Sequence, residues 1–507
     1  MSPTRTNYDL IIVGGGVAGC VLAAAAAEVD GLSVLLIEAG TDYGPREQDW
    51  PAGVLDARQL PRQDLWEPKS QPHSWRGKIL GGSSCVNGCW HTWGADGDYD
   101  RWAELAGDSW SAKALEPYRA EAVRTLGVRP VAPAEISLWT EASVAAARGL
   151  GYPFVEDLAA PGWLGGSGSA VAVGLPPINA AGDRRRNAAF GYLGGCRASP
   201  SVQILDRASV DQLIWSGTRV SAVAVRTPDG TSRYDGGQVV LTAGTIGSPI
   251  LLQRSGIGDP DRLAAAGVPV RRELPGVGAN LSDHPGVTLP LTATVELAEA
   301  LAGIEARGQL YASQACLLAA SSVCESGSWD LHLLPTAGGP LFAERVAGEY
   351  EVGITAFLMK QRSRGQVSIT SPDPEVPPRV EHDYLSDAGG ADLQALADGL
   401  VLAGELAGSP QLRRLATAGS PPDLSGRDPA ALARYRQALG TYWHPVGTCA
   451  AGTGAQSVVD GRGRVHGFDN LSVLDASILP STPRANTQLS VLATASMLSE
   501  LLLTELR

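Results

Sequence analysis

Two carboxamide side chains stand at the start of a long apolar segment near the end of the chain. Asn486 and Gln488 flank Thr487, and a Leu- and Ala-rich run follows them. A carboxamide N–H can donate a hydrogen bond to a reacting oxygen atom, and a polar side chain in this position can also cap a helix. Asparagine is a favoured cap, whereas glutamine is not. The residue types therefore leave two hypotheses open, a helix cap and a reactive site.

One histidine stands where it could accept a proton. The chain has seven histidines, and six of them occupy ordinary loop or strand contexts that favour a structural role: His73, His91, His284, His332, His382 and His466. His444 differs because Pro445 restricts it to extended backbone and Trp443 could form the wall of a pocket. An imidazole that is neutral near pH 7 is suited to general-base chemistry. We therefore predict that His444 is the base of the site.

The elements that must position such groups begin with a glycine-rich turn near the start of the chain. A β-branched run at residues 9–13 predicts a buried parallel strand, and an Ala-rich helix and a second buried strand follow it. Gly14, Gly16 and Gly19 form the pattern G-x-G-x-x-G between strand and helix. The first glycine permits the tight turn, the second lets the backbone approach a pyrophosphate, and the third allows close packing. This βαβ unit predicts a dinucleotide site.

The second strand of this unit ends at Glu38. A carboxylate in that position accepts hydrogen bonds from the ribose hydroxyls of an adenosine, and it is unfavourable beside a 2′-phosphate. The pattern therefore disfavours NADP and leaves FAD and NAD as candidates.

A second glycine-rich segment, G-G-S-S-C-V-N, spans residues 81–87. Its glycines give a flexible backbone, and Ser83, Ser84 and Asn87 add small hydrogen-bonding side chains. Such a segment could lie against a planar ring and donate amide hydrogens to it. Taken alone, it is equally typical of a surface loop.

These and further motifs, in the same order, resemble the glucose-methanol-choline (GMC) family of FAD-dependent oxidoreductases nearly from end to end. The dinucleotide fingerprint matches the start of that family, and G-K-I-L-G-G-S-S-C-V-N-G matches its first signature. The other matching segments are L-T-A-G-T-I-G-S-P-I-L-L-Q-R-S-G-I-G at residues 241–258, the second signature, and residues 274–285, 362–387, 442–449 and 471–488.

The resemblance implies a fold of two parts, α/β plus α+β. A Rossmann-like FAD-binding domain accompanies a substrate domain that is built on an antiparallel sheet backed by helices. The FAD-binding domain is expected to consist of residues 1–155, 191–290 and 436–507. The first of these segments contains the first signature and the lid, and the last contains the catalytic segment. The substrate domain is expected to consist of residues 156–190 and 291–435. Strand-like residues 351–357 and 366–370, which alternate more polar positions, and a helical pattern at residues 392–408 agree with this arrangement.

The resemblance also implies where FAD binds. Binding is expected to be non-covalent, because Val86 replaces the histidine that attaches FAD in some relatives and His91 is out of register. The positions that match cofactor residues of the family are Gly14, Gly16 and Gly19 at the pyrophosphate, Glu38 at the adenosine ribose, Val210 (through its backbone) at the adenine, Gly82, Ser83, Ser84 and Asn87 at the isoalloxazine, and Asp475 and Ala476 beside the pyrophosphate and ribityl chain.

In the family, the histidine base faces a second polar residue, and alignment puts His444 and Gln488 at these two positions. The family has Asn or His where this chain has Gln488, which offers its carboxamide one methylene further out. Asn486 could fill the position after a local shift, or the site could be remodelled. We expect Gln488 to face His444, and Asn486 with Thr487 to cap a buried helix. By resemblance, the N-terminus of that helix stabilises the anionic reduced flavin.

The predicted activity is FAD-dependent oxidation of a primary or secondary alcohol to a carbonyl, with O2 or another electron acceptor. A non-redox lyase that retains FAD, similar to a hydroxynitrile lyase, and a flavoprotein with a degenerate site remain alternatives because of Gln488. Five tryptophans in segments that could face the cavity hint at an aromatic, furanic or sugar-like substrate: Trp66, Trp75, Trp90, Trp93 and Trp443. No acidic residue can be assigned to a quaternary ammonium, so choline is disfavoured.

Composition narrows the classes of function. The chain has 507 residues and a net charge of −13, which predicts two or more domains and disfavours nucleic acid as a partner. The arginine run at residues 184–186 is expected to be a solvated loop. No uninterrupted apolar stretch reaches the roughly 18 residues of a membrane span, and the N-terminus enters a strand without room for a signal peptide. Seven scattered cysteines predict reduced thiols in a cytoplasmic protein without a metal site.

Overall fold

The computed structural model describes residues 6–58, 60–61, 63–66, 75–158, 171–311, 313–338, 348–426 and 428–507. His73, for which we predicted a structural role, lies outside this part of the chain, as do the first five residues and residues 159–170 of the predicted segment 156–190. Helices in the described part are α1 Val17–Ala27, α2 Ala52–Leu55, α3 Asp96–Ala106, α4 Ala112–Leu126, α5 Leu138–Gly149, α6 Ala188–Cys196, α7 Gly244–Arg254, α8 Pro260–Ala265, α9 Val295–Glu305, α10 Ala391–Ala407, α11 Pro410–Arg413, α12 Pro429–Ala438 and α13 Thr487–Leu506.

The strands of the described residues follow the same chain order. They are β1 Asn7–Val13, β2 Val34–Ile37, β3 Phe154–Val155, β4 Ala172–Gly174, β5 Ala180–Ala181, β6 Arg184–Arg185, β7 Val202–Leu205, β8 Ser209–Ser216, β9 Arg219–Thr227, β10 Gly230–Leu241, β11 Ile257–Gly258, β12 Arg272–Glu273, β13 Pro285–Ala293, β14 Cys316–Ala319, β15 Leu331–Gly338, β16 Glu351–Leu358, β17 Gln366–Ser368, β18 Arg379–Glu381, β19 Ala416–Ala418, β20 Gly440–Thr441 and β21 Leu471–Val473.

The first sheet has the order β7-β2-β1-β10-β9-β8, with β21 also pairing with β10. Strands β7, β2, β1, β10 and β21 are parallel, whereas β9 is antiparallel to both β10 and β8. The long strand β10 takes part in both kinds of pairing. Its first half pairs antiparallel with β9, and its last three residues pair parallel with β21. The carboxyl ends of the parallel strands therefore meet at one edge, where ligands of open α/β sheets bind.

The predicted βαβ unit is confirmed as β1, α1 and β2. Strand β1 is buried along its second half and β2 along its whole length, as a central parallel strand requires. The Ala-rich helix α1 packs between α6 and the C-terminal helix α13. This packing holds the start of α1 against the edge where β1 ends.

The second sheet has the order β19-β13-β16-β15-β14-β4-β3, with β20 also pairing with β13. All its pairs are antiparallel except β3 with β4. Apolar residues of α5, α9 and α10, such as Trp139, Leu301 and Leu396, form one core with Leu289 and Ile354 of the sheet. The predicted antiparallel sheet backed by helices is confirmed. Helix α5 packs on this sheet although it lies within the predicted segment 1–155, whose boundaries stay a prediction.

The C-terminal helix α13 is long and apolar enough to cross a membrane by length and composition alone. It is a core helix of the described structure, however, because 67% of its most apolar window is buried and it packs against α1 and α4. Its apolar character on all sides follows from this burial.

The arginine run is not the solvated loop that we predicted. Arg184 and Arg185 form β6, and Arg185 is buried and donates a hydrogen bond to the backbone oxygen of Asn87 (2.9 Å). All seven cysteines lie in the described part and are free. No cluster of His, Cys, Asp and Glu in the described residues could hold a metal ion.

Candidate active site

A single cavity of about 940 Å³ connects the edge of the first sheet with the second sheet. Gly14 and Glu38 line one end, where β1 and β2 stop, and His444 and Asn486 line the wall near the second sheet. The predicted site residues that line this cavity are Gly14, Gly16, Glu38, Gly82, Ser83, Ser84, Asn87, Val210, His444, Asp475, Ala476, Asn486 and Gln488. Gly19 alone among the predicted residues is absent from the lining.

The three glycines of the fingerprint differ in their backbone conformation and in the atoms that surround them. Gly14 has φ +109°, in the left-handed region that favours glycine. A Cβ on Gly19 would lie 2.0 Å from the backbone oxygen of Gly14, so this residue permits the close packing of α1. A Cβ on Gly16 would meet no protein atom nearer than 3.9 Å. The protein itself does not require glycine at residue 16, so the space there is available to a ligand.

Glu38 is a buried carboxylate at the end of β2. Its oxygens accept hydrogen bonds from the backbone N–H of Gly15 (2.8 Å) and of Gly40 (2.7 Å). Burial raises the pKa of Glu38 to about 7, and these two hydrogen bonds oppose the rise. A carboxylate that is destabilised in this way would gain from further hydrogen-bond donors such as ribose hydroxyls.

Asp475 joins two elements at the same edge. Its carboxylate accepts from the N–H of Gly244 at the start of α7 (2.9 Å), from Ser248 Oγ (2.5 Å) and from the N–H of Ser477 (2.8 Å). Burial raises the pKa of Asp475. Val210 lines the cavity from β8, the strand that the sequence predicts there.

The first signature forms a 3-10 turn, Gly82–Cys85, whose residues face the glycine fingerprint. A Cβ on Gly82 would lie 2.7 Å from the Cα of Gly16, so the two glycine segments are in direct contact. The hydroxyl of Ser84 donates to the backbone oxygen of Gly81 (2.6 Å) and accepts from the N–H of Ala188 (2.9 Å). Ser84 therefore holds the turn in place, whereas Ser83 is exposed and its hydroxyl accepts from the backbone N–H of Gly77 (3.2 Å).

The backbone of His444 is held by a buried carboxylate. Asp283 Oδ1 accepts from the N–H of His444 (2.8 Å), and Oδ2 accepts from Thr441 Oγ1 (2.6 Å) and Tyr384 Oη (3.0 Å). Trp443, before the histidine, has φ +57°, which is unusual for a bulky residue. Strain of this kind is concentrated at functional sites, because the surrounding contacts must enforce it.

The imidazole of His444 lies in a stack of aromatic rings. Tyr442 lies between His444 (centroids 4.3 Å apart) and Phe357 (4.1 Å apart, 16° between planes). Burial, followed by the charge of the neighbouring His332, lowers the pKa of His444 well below its usual range. The ring is therefore neutral near pH 7, as a general base must be.

Asn486, rather than Gln488, is the carboxamide beside His444. Asn486 Nδ2 lies 3.4 Å from His444 Nε2, and Asn486 Oδ1 accepts from Thr92 Oγ1 (3.1 Å). Gln488 Oε1 instead accepts a hydrogen bond from Asn87 Nδ2. The expectation that Gln488 faces His444 is therefore not what the structure has. Gln488 is the second residue of helix α13, and its side chain points along the cavity toward Asn87 of the first signature.

The helix-cap prediction for Asn486 is also wrong for its side chain. Asn486 occupies the N-cap position of α13, but its side chain makes no capping hydrogen bond. Its carboxamide is bound to Thr92 and His444 instead. The helix still begins at the cavity, where Thr487 lines the wall, so its positive end faces this space.

His284 belongs to the site although the sequence favoured a structural role. Its Nδ1 lies 3.0 Å from Nδ1 of His444, and its backbone N–H donates to Asp283 Oδ1 (2.8 Å). The signal that identified His444, a histidine followed by proline, is also present at His284 and Pro285. No sequence pattern pointed to Asp283 or Thr92, because their roles depend on contacts with His444 and Asn486, which lie far from them in the sequence.

The expectation that five tryptophans could face the cavity is met by four of them. Trp66, Trp75, Trp90 and Trp443 line the cavity. Trp93 does not, because it is buried in the core of the first sheet under the guanidinium of Arg119, 4.5 Å from its ring centroid. The lining is completed near the second sheet by uncharged residues that include Ser313, Leu334, Thr336, Thr355 and Phe357.

The residues of this cavity fit FAD. The open space at Gly16 suits a pyrophosphate, and the buried Glu38 suits a ribose. Gln488 Nε2 is buried and has no hydrogen-bond partner among the described residues. An NH2 group that lacks a partner in a cavity wall would be satisfied by a hydrogen-bond acceptor on a bound ligand.

His91 also lines the cavity wall, but its Nε2 is hydrogen-bonded to Asn179 Oδ1 (3.0 Å).

Comparison with known proteins identifies the family. Sequence profiles described as GMC oxidoreductase match residues 8–286 and 361–495. The chain is 31% identical to an oxygen-dependent choline dehydrogenase of Pseudomonas syringae pv. tomato, over 98% of this chain and 94% of that protein. It is 32% identical to a 5-(hydroxymethyl)furfural oxidase of Methylovorus sp., over 99% of this chain and 100% of that protein.

Solved structures agree. Pyridoxine 4-oxidase from Mesorbium loti superposes with a TM-score of 0.81 at 26% identity, covering 98% of this chain and 99% of that one. Formate oxidase from Aspergillus oryzae shares the fold, with a TM-score of 0.83 at 21% identity over 99% of each chain. With the two sheets, the shared cavity and matches over most of its length, the chain belongs to the GMC oxidoreductase family.

Proposed function

We propose that the protein oxidises a primary alcohol to a carbonyl with non-covalently bound FAD, and that His444 takes the hydroxyl proton. The observation that carries this proposal is the pair formed by His444 Nε2 and Asn486 Nδ2, 3.4 Å apart, in the cavity that the dinucleotide fingerprint also lines. A neutral imidazole and a carboxamide donor are the two groups that an alcohol oxygen needs while it loses its proton.

Each residue has a distinct task in this proposal. His444 Nε2 accepts the hydroxyl proton, and Asn486 Nδ2 donates a hydrogen bond to the alkoxide-like oxygen that results. Gly14, Gly16 and Glu38 would hold the adenosine diphosphate, and Asn87 with Gln488 would hold the ring end. FAD, when bound, supplies the hydride acceptor. The N-terminus of α13 favours negative charge in the cavity.

Three of the named proteins act on a compound that carries a primary alcohol group. Choline, 5-(hydroxymethyl)furfural and pyridoxine each carry a primary alcohol group. Trp90, Phe357 and Tyr442 form an aromatic wall near His444, with Tyr442 5.9 Å from Trp90 between centroids. This wall supports an aromatic or heteroaromatic alcohol as the substrate class.

A quaternary ammonium substrate is not supported by the charges of the cavity. Its carboxylates in the described lining are Glu38, Glu375 and Asp475. Glu38 and Asp475 accept backbone hydrogen bonds at the sheet edge, and Glu375 is paired with Arg226 (3.1 Å). Among the described lining residues, choline would therefore find no carboxylate that is available to its cationic head.

The non-redox alternative depended on Gln488 in the position opposite His444. Because Gln488 is bound to Asn87 instead, no contact of the described site favours a lyase. The terminal electron acceptor in this proposal is O2 or another carrier.

The test is anaerobic mixing of the oxidised holoprotein with a panel of alcohols while the visible flavin band is followed. We expect 5-(hydroxymethyl)furfural, pyridoxine or benzyl alcohol to bleach the band, and choline to leave it unchanged. Readmitted O2 should restore the band if the protein is an oxidase. Absence of bleaching by every alcohol would contradict the proposed function. Acid precipitation should leave the yellow colour in the supernatant, whereas a yellow pellet would contradict non-covalent binding.

A further inference from the structure

Two imidazoles share one short contact at the base of the site. His284 Nδ1 and His444 Nδ1 lie 3.0 Å apart, with the rings at 88° and their centroids 5.2 Å apart. Only one of these two nitrogens can carry a proton when both rings are neutral. Burial, followed by the neighbouring His444, lowers the pKa of His284 well below its usual range, so both rings are neutral at rest.

Asp283 fixes the relative position of the two rings. Its Oδ1 accepts from the backbone N–H of both His284 and His444, each at 2.8 Å. The carboxylate is fully buried, and its other oxygen is bound by Thr441 and Tyr384. One carboxylate thus binds the backbone N–H groups of both histidines and fixes the distance between their backbones. The Nδ1–Nδ1 contact follows from this fixed backbone geometry.

The contact of His444 with Asn486 indicates which nitrogen of His444 carries the proton in the resting protein. The N–H of Asn486 donates to Thr92 Oγ1 (3.3 Å), so the Thr92 hydroxyl hydrogen is available for Asn486 Oδ1 (3.1 Å). This bond orients the carboxamide so that Nδ2, a donor, points at His444 Nε2. His444 Nε2 must then be unprotonated, and the ring proton resides on Nδ1.

We infer that His284 is the positioning residue that sets the tautomer of His444: its Nδ1 accepts the Nδ1–H of His444 and so keeps Nε2 free to act as the base. The role of the free Nε2 as a base rests on the proposed function, whereas the tautomer itself is a property of the resting protein. His284 must then carry its own proton on Nε2, which is buried without a hydrogen-bond partner among the described residues.

The arrangement also gives the abstracted proton a second location. When the alcohol O–H bond breaks and an N–H bond forms at His444 Nε2, the Nδ1 proton of His444 can pass to His284 Nδ1. One proton enters at Nε2 and one leaves at Nδ1, so His444 is neutral again and His284 carries the positive charge. Asp283, at the backbone of His284, is the anion that stabilises this charge.

The first test is the histidine tautomer in the resting holoprotein. In ¹⁵N-histidine-labelled protein, two-bond ¹H–¹⁵N spectra distinguish an Nδ1–H ring from an Nε2–H ring. His444 is identified as the signal that is lost in His444→Ala. We expect His444 as the Nδ1–H tautomer in the wild type and as a different tautomer or mixture in His284→Leu. An Nε2–H ring in the wild type, or an unchanged tautomer in His284→Leu, would overturn the inference. This test needs no alcohol, so it is independent of the proposed function.

The second test is rescue by a side chain of matched geometry. In His284→Asn the carboxamide oxygen occupies the position of the Nδ1 acceptor, whereas His284→Leu has no acceptor. We expect anaerobic flavin reduction to slow roughly 10²-fold in His284→Leu and to stay within about tenfold of the wild type in His284→Asn. Equal rates in the two variants would overturn the inference.

The matched control is His332, a second fully buried histidine close to Tyr442 (centroids 6.2 Å apart) with no hydrogen bond to either nitrogen in the described structure. His332→Leu makes the same change in volume and polarity but leaves the Nδ1–Nδ1 contact of His444 with His284 in place. Because His332 acts on His444 only through its charge, we expect flavin reduction to stay within about tenfold of the wild-type rate. A loss as large as that of His284→Leu would assign the effect to packing and overturn the inference. A wild type that no alcohol reduces would instead contradict the proposed function, while the tautomer measurement would stand.

Discussion

Asn486 Nδ2 lies 3.4 Å from His444 Nε2, at the point where helix α13 begins. Thr92 holds the same carboxamide from its other side. The contact joins the C-terminal helix to the strained segment around Trp443, so two distant parts of the chain meet at the nitrogen that would act as base.

The first prediction concerns the two carboxamides. We expect Asn486→Ala to slow anaerobic flavin reduction by roughly 10²-fold, because a donor to the substrate oxygen is lost. Gln488→Leu should instead weaken FAD retention, because Asn87 loses its acceptor. Stopped-flow reduction and FAD titration of the apoprotein separate the two effects. A larger loss of reduction rate in Gln488→Leu than in Asn486→Ala would restore Gln488 as the residue opposite the base.

The second prediction concerns Glu38 and pH. Its pKa of about 7 in the folded protein exceeds the ordinary value of 4.5. Its contribution to apoprotein stability is therefore fully present below about pH 4.5 and is lost as the pH rises through 7. In Glu38→Gln this loss is absent, so the variant should gain stability relative to the wild-type apoprotein between about pH 5 and pH 8. Urea unfolding at several pH values measures the difference.

The same variant should bind FAD more weakly. A neutral carboxamide is a poorer acceptor for ribose hydroxyls than a carboxylate, so we expect the Kd to rise at least about tenfold above pH 7. An apoprotein that is more stable and yet binds FAD less well is hard to explain by misfolding. Unchanged FAD affinity in Glu38→Gln would remove Glu38 from the cofactor site.

The third prediction concerns a buried ion cluster that holds the loop before Asn486. Asp98 is fully buried, pairs with Lys360 Nζ (2.8 Å) and accepts from the backbone N–H of Arg484 (2.9 Å). Asp98→Asn leaves Lys360 and the Arg484 guanidinium (Nε 3.8 Å from Asp98 Oδ1) without their anion, which should cost about 3 kcal/mol of unfolding free energy. Glu505→Gln, in an exposed pair with Arg462, should cost less than about 1 kcal/mol. Comparable losses in chemical denaturation would show that the buried cluster has no special role.

The fourth prediction concerns the buried histidines and acid. Burial lowers the pKa of His332 to about 3 and of His91 to about 4. Because the unfolded chain takes up these protons near pH 6.5, apoprotein stability should fall as the pH drops below about 6.5, the opposite direction to the effect of Glu38. His332→Leu should make this fall shallower. An identical acid dependence of stability in the wild type and in His332→Leu would contradict the pKa argument.

The cofactor half of the fold was accessible from sequence because local patterns specify it. Gly14, Gly16, Gly19 and Glu38 lie within one βαβ unit, where strand, turn and helix geometry follow from neighbouring residues. The antiparallel sheet backed by helices was inferred from resemblance and is confirmed. The burial of Arg185 was missed because its partners, Val54 and Asn87, lie far from it in sequence.

The catalytic half was less accessible because long-range contacts determine it. Asn486 and Gln488 are two residues apart, and the choice between them depends on the side chains of Thr92 and Asn87, which approach from another segment. The contact of His284 with His444 likewise joins residues 160 positions apart. Sequence alone had no means of choosing the rotation of α13 that brings residue 486 to the base.

The central claim, that His444 is the base of an alcohol oxidation, is tested most directly by one comparison. Wild-type and His444→Ala holoproteins are mixed anaerobically with 5-(hydroxymethyl)furfural or benzyl alcohol, and the rate of flavin bleaching is measured. We predict that both proteins retain FAD and that the variant is reduced roughly 10²- to 10⁴-fold more slowly. Equal bleaching rates in the two proteins would contradict the account.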